Sequence, residues 1–394
     1  MEAKIAIVGA GLAGITAAIR LAELGYSSVV VDSSLPHAQG DIGGFAKFSG
    51  AKFSLPPAGM GLISITKSEE ALWYAIRQVA VLHGLDFECF DKSVERSDVD
   101  PCLRQYDSLV LDPHEIDELI QRAMRMMVDR NITLIQGVCT GILENSDGMQ
   151  LSVSVGDELI EINSDVIFYA GGRLGTDLLL RAGIEVTDKK GIDVGVRIEF
   201  LDCSGLSKLR QLGPDAKIIK GNCRTFCLNL PGNIYRYPFG ELSIPGGIVA
   251  SSETNKANVG VLCRSSLKKD LLKNIVDVGM SVGRRALEKG YESSDTAFGD
   301  AISIMRDLYG KEIVDELQVF SEYLRSQELI SWNIPHIVHL PLIDWHWATF
   351  SQEGTFKTNK ENIYCLGDSS GHARGLLQAA VSGWLAAEEY ADEY

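Results

Sequence analysis

Apolar runs divide the chain into predicted strands and helices. Four short, almost wholly apolar runs are typical of parallel strands buried on both faces of a sheet: residues 5–8, 28–31, 165–170 and 362–366. Between residues 133 and 162 polar and apolar positions alternate, which predicts antiparallel strands instead. The apolar spacing of residues 12–24 and 375–390 predicts helices that pack on the sheet. Together these patterns predict an α/β fold.

The turn between the first strand and the first helix has a phosphate-binding signature. Gly9, Gly11 and Gly14 have the G-x-G-x-x-G spacing, and Asp32 ends the next apolar run. The first glycine permits a tight turn, the second lets the backbone approach a pyrophosphate, and the third lets the helix pack on the strand. A helix N-terminus attracts phosphate, and Asp32 can accept hydrogen bonds from a ribose. The segment therefore predicts a dinucleotide site, but it does not say which dinucleotide.

Composition and charge narrow the range of partners. The 394 residues are 45% hydrophobic and 23% charged, as in ordinary globular proteins, and the formal net charge is −16. Because nucleic acids and anionic membrane surfaces repel an acidic chain, we expect neither as a partner. No apolar run is long enough to span a bilayer. The cysteines have no framework spacing, and the glycine motif leaves no room for a signal peptide, so we expect reduced thiols in a cytoplasmic protein.

Two further segments are rich in glycine. Gly43 and Gly44 begin a loop that also contains several Pro and Ser residues and Lys52. Long ordered loops in α/β proteins are often functional. Near the C-terminus, residues 362–389 read NIYCLGDSSGHARGLLQAAVSGWLAAEE, a predicted strand, turn and helix.

Taken together, these segments resemble a known group of proteins. The chain looks like a flavoprotein of the glutathione-reductase type, and more narrowly it resembles the FAD-dependent dehydrogenases of the HI0933-like and related bacterial group. The resemblance rests on GAGLAG with Asp32, the Gly43-Gly44 region, DVIFYAGGRLGTDLLLRAGI, the blocks IDVGVRIEF, GNCRTFCLNLPG and GGIVASS, and GDSSGHARGLLQAAVSG. It implies that the dinucleotide is FAD. It also implies that the FAD-binding domain is Rossmann-like, with three layers in the order ββα.

The resemblance also implies which residues hold FAD. Asp368 would bind the ribityl chain, the backbone from Gly371 to Leu376 would face the N1–C2=O edge of the flavin, and Val138 would reach the adenine through its backbone. A helix dipole at that edge would stabilise the negative charge of reduced flavin. The full expected set is Gly9, Gly11, Leu12, Ala13, Gly14, Asp32, Ser33, Gly43, Gly44, Val138, Gly171, Gly172, Gly367, Asp368, Gly371, Gly375 and Leu376.

The middle of the chain has a different pattern. From about residue 188 to residue 335, strand-like segments are followed by three helical stretches, the first at residues 267–288. We predict that residues 188–335 form an α+β substrate domain. It would be inserted into a discontinuous FAD-binding domain made of residues 1–187 and 336–394.

Other readings of the motifs are weaker. The chain has no second G-x-G-x-x-G and no C-x-x-C pair, which argues against a pyridine-nucleotide disulfide reductase. Cys223 and Cys227 could form a redox or metal pair, but two ligands do not make a zinc site, so we favour inert thiols and predict no metal. The sequence around Ser369 fits the G-x-S-x-G motif of hydrolases. However, only His372 and acids of the terminal helix follow Ser369, so the hydrolase order is not met.

Three histidines near the end of the predicted insertion could suggest a metal site. His336, His339 and His346 are close in sequence, but two nearby prolines argue against the helix that such a spacing would need. We interpret them as pocket or strand residues where the two domains meet. Such a junction is a common place for a substrate.

In flavoenzymes the cofactor carries out the redox chemistry, and the protein supplies orientation and charge. Lys52, His372 and Arg374 are the candidate catalytic residues, because a cation there would stabilise reduced flavin or a developing enolate. We predict an FAD-dependent oxidoreductase that moves a hydride between flavin N5 and a small organic substrate. NAD(P)H, a protein electron donor such as ferredoxin, or oxygen would be the second partner. The sequence does not predict the oligomeric state.

Two other functions remain open. The first is an FAD-binding protein whose flavin is structural or senses a signal, without turnover. The second is a flavin-dependent enzyme that modifies nucleic acid, which the net charge of −16 disfavours.

Overall fold

The computed structural model describes residues 1–33, 42–89, 102–146, 148–187 and 190–394. Within these ranges the strands are β1 (Glu2–Val8), β2 (Ser28–Asp32), β3 (Lys52–Ser54), β4 (Leu103–Arg104), β5 (Ser108–Val110), β6 (Thr133–Gln136), β7 (Val138–Asn145), β8 (Gly148–Val155), β9 (Glu158–Tyr169), β10 (Ile192–Phe200), β11 (Lys217–Lys220), β12 (Cys223–Asn229), β13 (Gly232–Phe239), β14 (Leu242–Val249), β15 (Ala257–Ser265), β16 (Tyr291–Ser293), β17 (His336–Asp344) and β18 (Ile363–Cys365). The helices are α1 (Leu12–Glu23), α2 (Met60–Ile63), α3 (Glu69–His83), α4 (Pro113–Asp129), α5 (Thr176–Arg181), α6 (Ser207–Gln211), α7 (Lys268–Val282), α8 (Arg284–Lys289), α9 (Ala301–Tyr309), α10 (Lys311–Ser326) and α11 (Leu376–Glu393).

The first sheet combines a parallel core with an antiparallel meander. Parallel strands run in the order β6-β2-β1-β9-β18. Strand β9 is long enough to belong to both parts. Its second half pairs with β1 and β18, and its first half pairs antiparallel with β8, which pairs in turn with β7. All four predicted parallel strands are present. Residues 138–162 of the alternating segment form the meander, whereas residues 133–136 form β6, which pairs parallel with β2 and not antiparallel as predicted.

Side chains of β1 point alternately into two apolar layers. Ile5 and Ile7 are fully buried against α1, α3, α4 and α11. Ala6 and Val8 lie in a second cluster with residues of the meander. The sheet is therefore covered by helices on one face and by strands on the other. This arrangement confirms the predicted Rossmann-like fold, which has three layers in the order ββα.

Helices α1 and α11 are in close contact, which brings their N-termini to the same edge of the sheet. A Cβ placed on Gly383 of α11 would lie 2.1 Å from the carbonyl oxygen of Ala13, so only glycine permits this approach. Helix α1 follows β1 and α11 follows β18, and both strands are parallel. Both helices therefore begin at the carboxyl ends of the parallel strands, where open α/β sheets bind their ligands.

The second sheet is antiparallel throughout. Its order is β16-β17-β10-β15-β12-β11-β4. All nine residues of β10 are buried, and helices α7, α9 and α10 pack on the sheet. The predicted helix 267–288 is divided into α7 and α8 at Gly283, whose φ of +89° ends the first helix. No helix of the described residues is long and apolar enough to cross a membrane.

Of the two predicted boundaries of the inserted domain, only the one between residues 335 and 336 can be compared with the structure. Strand β17 begins at His336 and pairs with β10 along its length, from Phe200–His336 to Asp193–Asp344. Strand β17 therefore belongs to the second sheet, although the prediction assigns residues 336–344 to the FAD-binding domain. Residue 188, where the predicted insertion begins, lies outside the described residues. The division into two domains as such stays a prediction.

Candidate functional site

A cavity of about 1040 Å³ lies between the two sheets. Its lining comes from the carboxyl ends of the parallel strands, the N-termini of α1 and α11, and strands β10, β11, β12 and β15 of the second sheet. Ligand pockets measure roughly 300–1,000 Å³, so this one is slightly larger than the usual range. All of the residues predicted to contact the cofactor line it except Gly14 and Val138. The candidates Lys52, His372 and Arg374 line it as well.

The three glycines of the first turn have three different surroundings. Gly9 has a φ of +103°, and a Cβ there would lie 2.4 Å from the carbonyl oxygen of Ala170. A Cβ on Gly14 would lie 1.9 Å from the carbonyl oxygen of Gly9, so Gly14 serves helix packing and does not contact the cavity. Around a Cβ on Gly11, in contrast, nothing lies within 4 Å. The backbone at Gly11 therefore faces open space inside the cavity.

The first turn ends in a helix N-terminus that no side chain covers. Gly11 provides no capping side chain to α1, and the first turn of α1 contains no acidic residue. The positive end of the helix dipole thus opens on the cavity next to the space at Gly11. This combination of free N–H groups and space is what a pyrophosphate requires.

Asp32 and Gly43 brace the glycine turn. Asp32 Oδ2 accepts a hydrogen bond of 2.5 Å from the backbone N–H of Ala10. The backbone N–H of Gly43 donates to the carbonyl oxygen of Ala10 at 2.9 Å. Gly43 and Gly44 have φ values of +98° and +56°, and this left-handed backbone explains why glycine occupies both positions. The loop that begins at Gly43 therefore lies directly on the motif.

The turn between β18 and α11 forms the other end of the cofactor site. Gly371 and Gly375 have φ values of +74° and +118°, and α11 begins at Leu376 without a capping side chain. The carbonyl oxygen of Asp368 accepts a hydrogen bond of 3.1 Å from Trp347 Nε1. Its carboxylate lies 3.5 Å from Arg173 Nε. A second helix N-terminus therefore opens on the same cavity as that of α1.

Two other predicted cofactor contacts have contrasting positions. Gly171 and Gly172 follow β9 and line the cavity, and Gly172 has a φ of +64° with open space around its Cβ position. Val138 is at the start of β7, is 53% exposed and does not line the cavity. The cavity lining therefore does not include Val138, although the N–H of the preceding Gly137 donates to the carbonyl oxygen of Asp32. The contact of the Val138 backbone with the adenine stays a prediction.

Ser369 has no role that fits a nucleophile. Its Oγ donates a hydrogen bond of 2.6 Å to the carbonyl oxygen of Leu366, and the residue is fully buried. It does not line the cavity. The hydroxyl is used to hold the turn, so the hydrolase alternative has no support in the geometry.

The three histidines near the end of the insertion do not form a group on the cavity. His336 and His339 lie on β17, as the strand interpretation requires, and both are buried. The His336 ring is within hydrogen-bond distance of two backbone carbonyls, and His339 Nε2 lies 3.4 Å from Glu199. His346 packs edge-on against Phe239. None of the three lines the cavity.

Arg374, one of the predicted catalytic residues, belongs to a network of ion pairs. Its guanidinium makes two hydrogen bonds, of 2.7 and 2.6 Å, to the buried carboxylate of Asp344. Arg224 donates to Asp344 at 2.9 Å and to Asp193 at 2.7 Å, and Arg264 donates to Asp193 at 2.5 Å. Each buried carboxylate therefore has two arginine partners.

The pKa values in this network follow from its charges. Burial alone would raise the pKa of Asp344, but Arg374 and Arg224 outweigh burial and hold it well below the ordinary value. Burial likewise opposes the charge of Arg374, but Asp344 raises its pKa above the ordinary value. Both groups are therefore charged at neutral pH, and Arg374 presents a fixed positive charge beside the N-terminus of α11.

Lys52, the second predicted catalytic residue, lies in a separate polar cluster. Its ammonium group donates to the carbonyl oxygen of Leu228 and lies 3.7 Å from Asp215 Oδ1. Burial alone would raise the pKa of Asp215, but Lys217 and Lys52 outweigh it and lower that pKa. Burial also opposes ionisation of the Cys227 thiol, yet Lys52 lowers its pKa below the ordinary value. Lys52 is therefore a partly buried cation that already has anionic and carbonyl partners.

His372, the third candidate, is a half-buried imidazole on the cavity. Burial lowers its pKa, and the nearby charge of Lys190 lowers it further. Lys190 donates to the carbonyl oxygen of Gly371 and lies 4.5 Å from the ring centre of Trp345. His372 is therefore uncharged at neutral pH and can accept a proton.

Sequence reasoning missed the charged residues that the second sheet contributes. Four consecutive strands each place one basic residue on the cavity: Arg264 on β15, Arg224 on β12, Lys217 on β11 and Arg104 on β4. We call these four the cation row. Arg224 and Arg264 occupy apolar segments, CRTFCLN and ANVGVLCRS. A single charge within an apolar strand was the available signal.

The geometry of the first sheet fits FAD. The space at Gly11 and the N-terminus of α1 suit the pyrophosphate, Asp32 lies where a ribose would, and the N-terminus of α11 suits the electron-rich edge of a flavin. A comparison with known domains agrees with this: a family model described as FAD binding domain matches residues 4–80. The cofactor of this chain is FAD, and the chain is a flavoprotein.

Other comparisons are weaker. No curated protein matches the chain. Among solved structures, a geranylgeranyl bacteriochlorophyll reductase-like protein from Thermoplasma acidophilum has a TM-score of 0.47 and 11% identity, covering 99% of this chain and 78% of its own. A flavoprotein/dehydrogenase from Cytophaga hutchinsonii has a TM-score of 0.46 and 11% identity, covering 100% and 79%. The hydroxylase OxyS from Streptomyces rimosus has a TM-score of 0.45 and 12% identity, covering 100% and 63%. These likenesses are too weak to indicate an activity, and the resemblances to the glutathione-reductase type and to the HI0933-like group both stay predictions.

Proposed function

We propose that this flavoprotein is an oxidoreductase that transfers a hydride between FAD and a small organic anion. The observation that supports it is the charge of the cavity. Among the residues that the structure describes, eight basic side chains line it: Lys52, Arg104, Arg173, Lys190, Lys217, Arg224, Arg264 and Arg374. The acidic side chains that line it within the same described ranges are Asp32, Asp193, Asp215 and Asp368. The chain as a whole has a net charge of −16, so the charge of these lining side chains is opposite in sign to the net charge of the protein.

The cation row favours a carboxylate or another small anion as the substrate. Lys217 and Arg104 are direct cross-strand partners, a placement in which two like charges repel each other. Asp215 lies 3.3 Å from Lys217 and balances part of this charge. A bound anion would balance the rest. Arginine is well suited to this role because its planar group binds a carboxylate through two parallel hydrogen bonds.

The first sheet would then bind the cofactor, and the second sheet would bind the substrate. FAD supplies the hydride chemistry when it is bound. Residues of the glycine turn and of the α11 N-terminus would hold the cofactor. Arg224 and Arg264 would hold the substrate anion, and Trp345 would exclude water from that end of the cavity.

Of the three catalytic candidates, His372 suits proton transfer best. Its imidazole is uncharged at neutral pH because burial lowers its pKa, so its ring nitrogen can accept a proton from a substrate. Arg374 would act as a fixed charge, since Asp344 holds it in the protonated form. Lys52 would contribute positive charge to the cavity, and Asp215 and the Leu228 carbonyl hold its ammonium group in place.

Anaerobic reduction tests the proposal. The purified flavoprotein would be mixed with NADH, NADPH or reduced ferredoxin under argon, and flavin bleaching would be followed by absorbance. The reduced protein would then be offered matched pairs of compounds, each a small unsaturated carboxylate and its primary amide. We expect at least one donor to bleach the flavin and at least one carboxylate, but not its amide, to restore the colour. A flavin that no donor reduces would favour a structural or sensing flavin instead.

A further inference from the structure

Two buried cysteines meet in the second sheet although forty residues separate them in sequence. Cys223 on β12 and Cys263 on β15 are direct cross-strand partners. The N–H of Arg264 donates to the carbonyl oxygen of Asn222 at 2.8 Å, which makes residues 222 and 264 a hydrogen-bonded pair. Cys223 and Cys263 are therefore a non-hydrogen-bonded pair, the type in which facing side chains are closest.

A carboxylate from a third element completes the cluster. Glu316 on α10 lies with its Oε2 3.5 Å from Cys263 Sγ. The two sulfur atoms and a carboxylate oxygen all lie within 4.8 Å of one another. In a tetrahedral zinc site, with Zn–S of about 2.3 Å and Zn–O of about 2.0 Å, adjacent sulfur and oxygen ligands are about 3.5 Å apart. The observed S···O distance matches this edge without any movement of the backbone.

The surroundings of Glu316 resemble those of a metal ligand. Asn222 Nδ2 lies 3.1 Å from one carboxylate oxygen of Glu316 and 3.5 Å from the other, which fixes the orientation of the carboxylate. Metal ligands are commonly held by such outer hydrogen bonds. Both cysteines are buried, whereas Glu316 is exposed, so an ion can reach the sulfur atoms from the surface next to α10.

We propose that Cys223, Cys263 and Glu316 bind a zinc ion, with water in the fourth position. Two thiolates and a carboxylate suit Zn²⁺ and other thiophilic ions, and they do not suit Mg²⁺ or Ca²⁺, which prefer oxygen ligands. The ion would tie α10 to β12 and β15. Since Asn222, Cys223 and Arg224 also line the cavity, the ion would support the strand that places Arg224 there. This role is structural and independent of the reaction proposed above.

Zinc titration of the purified holoprotein tests the site. The protein would first be reduced, treated with a chelator and desalted, and then titrated with Zn²⁺ against a chromogenic chelator. We expect one high-affinity zinc per chain in the unmodified protein. Cys263→Ser should abolish this binding, while Cys203→Ser, which removes a thiol outside the cluster, should leave it unchanged. Zinc should also raise the thermal unfolding temperature of the unmodified protein and of Cys203→Ser, but not that of Cys263→Ser.

Two further variants separate the ligands from their supports. Glu316→Gln preserves the size of the side chain and removes the charge, so we expect a large loss of affinity. Asn222→Ala should weaken zinc binding by about tenfold, the lower end of the effect of outer-shell changes. Equal zinc affinity in the unmodified protein and in Cys263→Ser would overturn the proposal. So would a Cys223–Cys263 disulfide in the purified protein combined with no zinc uptake after reduction.

Discussion

The two walls of the cavity are built from different chemical groups. On the side of the first sheet, the wall is main chain: glycines with left-handed φ, open space at Gly11 and two helix N-termini. On the side of the second sheet, the wall is charged side chains, with arginines fixed by the buried carboxylates of Asp193 and Asp344. A backbone wall binds a cofactor that many proteins share. A wall of side chains can be changed residue by residue, so it is the part that would determine the substrate.

This difference explains which part of the site the sequence revealed. A backbone wall needs glycines at fixed spacing within one short segment, and Gly9, Gly11 and Gly14 are visible as such. The cation row needs only one residue on each of four strands. Arg104 and Arg264 are 160 positions apart in the chain, and no spacing rule connects them.

The largest effect on the unfolding free energy is expected from a substitution of Asp344, at the centre of the charged wall. Asp344→Asn removes the negative charge and one of the two oxygens that accept hydrogen bonds from Arg374, and it leaves a partly buried guanidinium without its counter-ion. Breaking a buried ion pair from one side costs about 3–5 kcal/mol of unfolding free energy. Urea unfolding followed by circular dichroism would measure the loss.

The matched control is Asp277→Asn, because Asp277 is exposed on α7. This change should leave the unfolding free energy within about 0.5 kcal/mol. If Asp344→Asn were as stable as this control, the ion pairs would not hold the charged wall in place.

A pH effect should come from the helical layer of the first sheet and not from the charged wall. His83 on α3 is buried, with Nε2 2.8 Å from Thr16 Oγ1 on α1, and burial lowers its pKa to about 4. The unfolded chain binds a proton near pH 6.5, so stability falls as the pH drops from about 6.5 towards 4. Linkage gives about 2 kcal/mol lost between pH 7 and pH 5 through this residue. Asp344 has a lowered pKa instead, so its contribution is lost only at more acidic pH.

Urea unfolding of His83→Gln at pH 7 and pH 5 checks this assignment. Glutamine can still bond to Thr16 but does not titrate, so the variant should lose less stability between the two pH values than the unmodified protein. An equal loss in both proteins would contradict the role of His83.

The smallest effect is expected at Arg224, which bridges the two buried carboxylates. In Arg224→Gln, Asp193 retains Arg264 and Asp344 retains Arg374, so the protein should still fold. The affinity for a carboxylate substrate should fall by about tenfold, which corresponds to about 1.4 kcal/mol. Arg325→Gln, which changes an exposed arginine on α10, is the control. Unchanged binding of the carboxylate in Arg224→Gln would remove this residue from the substrate site.

The fold was predictable where one segment carries the whole signal. The parallel strands, the meander and the helices α1 and α11 follow from apolar runs and glycines within a few residues of each other. The residues of β17 could be interpreted only as pocket or strand residues, because His336, His339 and two prolines obscure the pattern, although pairing with β10 buries the strand. Val138 was placed by resemblance alone, and it does not line the cavity. The roles of Lys52 and Arg374 could not be predicted, because their partners Asp215 and Asp344 lie far away in the chain.

The central claim is that the glycine wall holds FAD and that the charged wall does not. The ratio of flavin to protein, measured by absorbance in Gly11→Val and in Arg224→Gln, tests it most directly. Because the Cβ of Gly11 would enter open space, Gly11→Val should fold normally and contain almost no flavin. Arg224→Gln should contain as much flavin as the unmodified protein. Full flavin in Gly11→Val, or a folded Arg224→Gln without flavin, would contradict the account.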